Sequence, residues 1–164
     1  MASGDLMFVW KAKAGDPPSS NYATQDTRNS VPVLDFDAST EETAYFLGTL
    51  PPNYSGGGLT LTVRTMATSA TSGDFKLGAS IERRHSSGDD LDSDSFATEQ
   101  TATSTTNGTS GIKTNTTITF SSGANMDSLA AGEDFRLKLA RKAADASDTM
   151  TGDLEVESLY LVET

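Results

Sequence analysis

Apolar and polar side chains alternate one by one along several short stretches of this chain. A period of two is the mark of a strand with one face on a core and the other in water. The clearest stretch is Leu59-Thr60-Leu61-Thr62-Val63-Arg64. Phe75, Leu77, Ala79 and Ile81 repeat the pattern against Lys76, Gly78, Ser80 and Glu82. The polar run Ser69-Ala70-Thr71-Ser72-Gly73-Asp74 between the two predicts a turn that joins them as an antiparallel pair. Phe135, Leu137 and Leu139 alternate with Arg136, Lys138 and Ala140, and Leu154, Val156, Tyr160 and Val162 mark the last strand. Leu159 and Leu161 break that register, which predicts a bulge or burial on both faces.

Weaker strand signals run from Phe8 to Lys11, Val33 to Phe36, Ala44 to Leu50, Phe96 to Thr103 and Ile112 to Phe120, each bounded by Gly, Pro, Asn, Asp or Ser clusters. The total is eight or nine short strands at the spacing of an antiparallel all-β sandwich or barrel. One short helical turn is predicted over Asn125 to Ala131, where Met126 and Leu129 stand three apart before Gly132. Pro17 and Pro18 lack backbone donors, so residues 1–30 read as an N-terminal strand or arm with a proline-containing connector, and residues 31–164 as the sandwich.

Charge narrows the partners. With 12 basic and 23 acidic side chains the net charge is −11, which argues against nucleic acid, because phosphate-backbone binding draws its affinity from Lys and Arg. The acidic excess suits solubility at high local concentration or the outward face of an assembly. No apolar run approaches the length of a membrane span, and Met1 to Trp10 lacks the basic and apolar regions of a signal peptide, so a protein made in a cytoplasm is expected. The absence of cysteine removes disulfides, thiol nucleophiles and cysteine zinc sites.

Candidate chemistry is sparse. His85 is the single histidine, follows Arg83 and Arg84, and is read as a solvated strand end and not as a general base. Asp90, Asp92 and Asp94 imitate the first ligands of a calcium loop, with Glu99 nearby. Ser95 takes the place of the turn glycine and Thr101 that of the bidentate glutamate, so a charged hairpin tip is the expectation and no metal or cofactor is assigned. Ser55-Gly56-Gly57-Gly58 leads into a strand and not a helix, which excludes a phosphate cradle. Asp134 with Glu155 is the carboxylate pair considered for glycoside hydrolysis, and no enzyme is inferred from it. Aromatic residues able to stack on a sugar are Trp10, Tyr22, Tyr45, Tyr54 and Tyr160, although core and loop anchoring explains most of them equally well. Phe8, Val9 and Trp10 are candidate assembly contacts if the arm bridges subunits; the first strand of the chain's own sandwich is the preferred reading.

The segments Gly15-Asp16-Pro17-Pro18, Asn21-Tyr22-Ala23-Thr24, Asp26-Thr27-Arg28-Asn29, Pro32-Val33-Leu34-Asp35-Phe36-Asp37, Tyr54 to Leu59, Ala67 to Asp74, Asp92 to Phe96 and Met126 to Glu133 resemble a family of small jelly-roll structural proteins of tailed bacteriophages. The resemblance implies a jelly-roll sandwich and a non-enzymatic virion component on the outer capsid surface. It would be made in the host cytoplasm, with the major capsid protein and itself, as a homotrimer, for partners. The expected role is that of a capsid cement or decoration protein. The alternative is a glycan- or receptor-binding jelly-roll module of a tail fibre, with a host-surface glycan as ligand.

Overall fold

A computed structural model describes residues 2–84 and 87–164. Among these residues the strands are β1 (Leu6–Lys11), β2 (Thr24–Arg28), β3 (Val31–Phe36), β4 (Glu42–Thr49), β5 (Leu59–Ala67), β6 (Asp74–Arg84), β7 (Gln100–Thr105), β8 (Thr114–Phe120), β9 (Asp134–Arg141) and β10 (Leu154–Glu163). They form two antiparallel sheets. One has the order β2-β3-β10-β5-β8, with β1 also paired to β10, and the other has the order β4-β9-β6-β7. The all-β sandwich expected from the alternating pattern is the observed architecture.

The inward positions are those the period of two selects. Leu59, Leu61 and Val63 of β5 face Phe75, Leu77 and Ile81 of β6 and Phe135, Leu137 and Leu139 of β9, all within 1% of complete burial. The two stretches read as a hairpin, however, do not pair: β5 bonds to β10 and β8 in one sheet, and β6 to β7 and β9 in the other. The loop between them crosses the roughly 10 Å between layers. Alternation records which side of a strand is buried and says nothing of which strand lies beside it.

The irregularity around Leu159 is a bulge. The β10–β5 register shifts between Val156 and Ser158, so Leu154 and Val156 before it and Leu159 and Leu161 after it all face the core. The helical turn shrinks to a single 3-10 turn, Ala124–Met126, because Asp127 and Ser128 adopt left-handed backbone (φ 54° and 56°) and stop it. Met126 and Leu129 are nonetheless buried, as their spacing suggested. The strand read from Phe96 starts only at Gln100, and the one read from Ile112 starts at Thr114.

The N-terminal residues belong to the sandwich. β1 pairs with β10, and β2 pairs with β3 as an edge strand, so the first 30 residues share a sheet with the strands that follow residue 31. Trp10 is buried, parallel to the Phe8 ring at 5.0 Å and edge-on to Phe135 at 6.2 Å, and its indole N–H donates to the Leu47 carbonyl at 2.9 Å. Phe8 and Trp10 are therefore spent on the chain's own core, while Val9, which points the other way, is exposed.

One buried ion pair locks a corner of the fold. Arg141, fully buried at the end of β9, donates through Nε and Nη2 to both oxygens of the buried Asp148 carboxylate at 3.1 and 2.9 Å. Its remaining N–H groups reach the carbonyls of Met150 at 2.9 Å and Gly152 at 2.8 Å, with Phe36 and Asp37 at 3.4 and 3.3 Å. The guanidinium thus ties the segment between β9 and β10 to the end of β3. A planar fork of five donors suits this task, where an ammonium would leave carbonyls unpaired.

Candidate functional site

The side of the four-stranded sheet that faces away from the core carries the densest chemistry. On β4, Ala44 and Phe46 enter the core, so Thr43, Tyr45 and Leu47 point outward. On β9 the outward residues are Arg136, Lys138 and Ala140, and on β6 they are Gly78, Ser80 and Glu82. Strand register then builds two rows across the sheet, Leu47–Arg136–Glu82 and Tyr45–Lys138–Ser80.

Two loops frame these rows. The first, between β1 and β2, is fastened to β4 by exchanged backbone hydrogen bonds between Asp16 and Tyr45 at 2.8 and 2.9 Å, and between residues 21–23 and Thr43. The second precedes β7. Ala97 N–H donates to the Ile81 carbonyl at 2.8 Å, and Phe96 comes to lie on the sheet with its ring 5.6 Å from that of Tyr45 and 20° from parallel. Farther along, the Glu99 carboxylate sits where a side chain on Gly78 would be: a Cβ there would fall 2.5 Å from Glu99 Cδ. A glycine at this position is what allows the loop to lie flat on β6.

The Arg136 guanidinium is 4.8 Å from the centroids of both the Tyr45 and Phe96 rings, and its Nε donates to the buried Glu82 carboxylate at 2.5 Å. Lys138 Nζ is 5.2 Å from the Phe96 ring. Such cation–π contacts hold the aromatic pair in place. Lys142 bridges Glu41 at 2.6 Å and Glu99 at 3.0 Å. Burial pulls its ammonium down, but the two carboxylates outweigh that effect and hold it above the ordinary lysine range.

Two adjoining clefts result, with Tyr45 in the wall of both. One, of about 260 Å³, is lined by Asp16, Tyr45, Leu47, Glu82, Arg84, Leu91 and Arg136. The other, of about 420 Å³, is more polar and lies between Pro18-Ser19-Ser20-Asn21 and Glu41, Thr43, Tyr45 and Lys138. An aromatic surface set among amide, hydroxyl, carboxylate and cationic groups matches a ligand with apolar C–H faces and a polar rim.

The other candidate residues do not gather here. Asp134 accepts from the Thr49 hydroxyl at the start of β9, whereas Glu155 pairs with Arg28 in the opposite sheet, so they form no catalytic pair. In the acidic loop Asp90 accepts the Asp92, Ser93 and Asp94 backbone N–H groups through its side chain or carbonyl, and Asp94 accepts that of Ser95. Among the described residues no three acidic or imidazole side chains converge to hold a metal ion. His85 lies outside the described residues. Gly56 to Gly58 form a turn into β5, with the Tyr54 hydroxyl donating to the Gly57 carbonyl. Of the sugar-stacking aromatics, Trp10 and Tyr54 are buried, Tyr160 lies under Arg64 on the other sheet, and Tyr45 is in the clefts. In the sequence Phe96 falls within a weak strand signal, Arg84 stands at a strand end beside His85, and Arg136 and Lys138 read as ordinary wet-face residues.

No protein-family model and no curated protein matches the sequence. Solved structures of similar shape do exist. The CBM22-2 xylan-binding domain of Paenibacillus barcinonensis Xyn10C superposes with a TM-score of 0.53 at 12% identity, covering 96% of this chain and 99% of that one. The N-terminal CBM22-1-CBM22-2 tandem domain of the same protein gives 0.57 at 13% identity, over 99% of this chain and 50% of that one. A CBM35 from Cellvibrio japonicus Abf62 gives 0.51 at 16% identity, over 94% and 91%. The shared feature is the fold, a jelly-roll β-sandwich.

Proposed function

We propose that this chain is a non-catalytic carbohydrate-binding module that takes a glycan along the outer face of its four-stranded sheet. The observation that carries the reading is Tyr45, which stands in the wall of both clefts with Phe96 stacked behind it and Arg136 against both rings. Tyr45 supplies the surface for a pyranose C–H face, and Phe96 holds its ring in place. Asp16 and Arg84 in one cleft, and Asn21 and Lys138 in the other, supply hydroxyl partners. A ligand spanning both clefts would lie across Tyr45, which makes an oligosaccharide a better fit than a single sugar. Solved domains of this fold that are named for carbohydrate binding support the reading. This corresponds to the alternative of a glycan-binding jelly-roll module. The capsid-decoration reading, with its capsid-protein and homotrimer partners, rests on the sequence resemblance alone.

A glycan array on the purified protein, followed by calorimetry on the ligand found, tests the proposal. Tyr45→Ala is expected to weaken binding about 2- to 10-fold, since aromatic stacking contributes about 0.5–1.5 kcal/mol beyond the area it buries. No binding to any glycan, or equal affinity in the parent and Tyr45→Ala, would overturn it.

A further inference from the structure

The opposite side of the sandwich carries a second groove, unlike the first. On the six-stranded sheet, Val31 and Glu157 form the shared wall of two adjoining cavities of about 220 and 260 Å³. Their floor is apolar, made by Val31, Pro32, Val33 and Met66, and their rim is cationic, with Lys11, Lys13, Arg28 and Lys113. Arg28 and Lys113 are matched by Glu155 and Glu157, but Lys11 and Lys13 are exposed and make no ion pair among the described residues. On a chain of net charge −11 this is a local concentration of positive charge around exposed Val31.

The same chain presents the complementary shape. In the loop before β7, Leu91, at the edge of the first cleft, is 61% exposed, the highest value among the large exposed apolar side chains of the described residues, and it stands between Asp90 and Asp92 with Ser93 and Asp94 following. The loop is a defined turn, closed by Asp94 and Ser93 N–H groups donating to the Asp90 carbonyl at 2.9 Å. A single leucine between aspartates is an apolar knob with an acidic collar, and the groove is an apolar socket with a basic collar.

We propose that the Asp90-Leu91-Asp92 tip of one copy seats in the Lys11/Lys13/Val31/Pro32 groove of a second copy. Knob and socket lie on different surfaces of the chain, so the contact is head-to-tail and repeats until it closes a ring or extends as a filament. Each contact is small, and charge complementarity at its rim selects the partner while the leucine supplies the buried area. At physiological ionic strength the Debye length of about 8 Å screens the mutual repulsion of whole acidic molecules more than it weakens groups in direct contact.

Sedimentation of the full chain in 150 mM salt at about 0.5 mM protein should show reversible association, with a Kd of about 0.1–1 mM as befits a small interface. Leu91→Asp, at an exposed position, should remain folded by circular dichroism and sediment as a monomer. Lys11→Glu/Lys13→Glu and Asp90→Lys/Asp92→Lys should each be monomeric alone, and mixing the two double variants should restore association of alternating copies through their intact and reversed collars. A parent that is monomeric throughout, or association that survives Leu91→Asp or either charge reversal, or a mixture that stays monomeric, would overturn the proposal.

Discussion

Replacing Asp148 by asparagine is expected to destabilise the fold far more than any surface change. The carboxylate and Arg141 are both within 1% of complete burial, and the pair is bidentate, with Nε and Nη2 at 3.1 and 2.9 Å. Asparagine keeps one acceptor oxygen but turns an amide NH₂ toward the guanidinium and leaves its charge buried without a counter-ion. Removing one partner of such a pair costs about 3–5 kcal/mol. For a chain of this length each kcal/mol lowers Tm by about 2–4 °C, so a fall of about 6–20 °C is expected. Replacing both residues by apolar ones would not restore the parent, because the Met150 and Gly152 carbonyls and the Lys76 N–H that donates to Asp148 at 3.0 Å would lose their partners. Urea titration followed by circular dichroism, with the thermal melt beside it, measures the loss. A variant within about 1 kcal/mol of the parent, the scale of an exposed ion pair, would mean that the corner opens to water and that Arg141 does not act as a bolt.

Three further outcomes follow from other parts of the fold. Burial of Asp35, together with the neighbouring carboxylates of Asp153, Glu155, Asp26 and Glu42, raises its pKa to about 6 from the ordinary 3.8. Its folded-state value exceeds the unfolded one, so its contribution is present below pH 3.8 and lost as pH rises through about 6. The parent should therefore be more stable at pH 5 than at pH 7, and melts of Asp35→Asn should show that gap narrowed. Below the ordinary carboxylate value of 3.8 the sign reverses, because the contribution of Asp37, held down to about 2 by the Thr40 and Ser39 N–H groups and the Ser39 hydroxyl, is lost as pH falls toward about 2. Gly73→Ala should cost about 2 kcal/mol in the same melts, since φ is +94° and the new Cβ would meet Met150 Cα and the Thr149 carbonyl oxygen, each at 2.9 Å. Trp10→Ala should cost about 3–5 kcal/mol, and the parent's single tryptophan should emit at short wavelength until the sandwich unfolds.

The chain's own pattern was enough to give the class of fold, because burial of one strand face is a local property written at every second residue. Leu59 to Val63, Phe75 to Ile81 and Phe135 to Leu139 announce strands and name their inward sides without reference to any neighbour. Even the bulge in β10 was legible, since Leu159 and Leu161 fall out of step with Leu154 and Val156 in the sequence itself. Pairing is another matter. β5 and β6 are adjacent in sequence and lie in different sheets, and nothing in their alternation could say so. The candidate site depends wholly on that missing information: Arg136 meets Glu82 across β9 and β6, Tyr45 meets Lys138 across β4 and β9, and Phe96 reaches both only because its loop folds back over the sheet beside Gly78. Local sequence sets what each side chain must avoid or seek. Contacts between residues 40 to 93 positions apart arise from chain topology, which is chosen by the packing of two whole sheets.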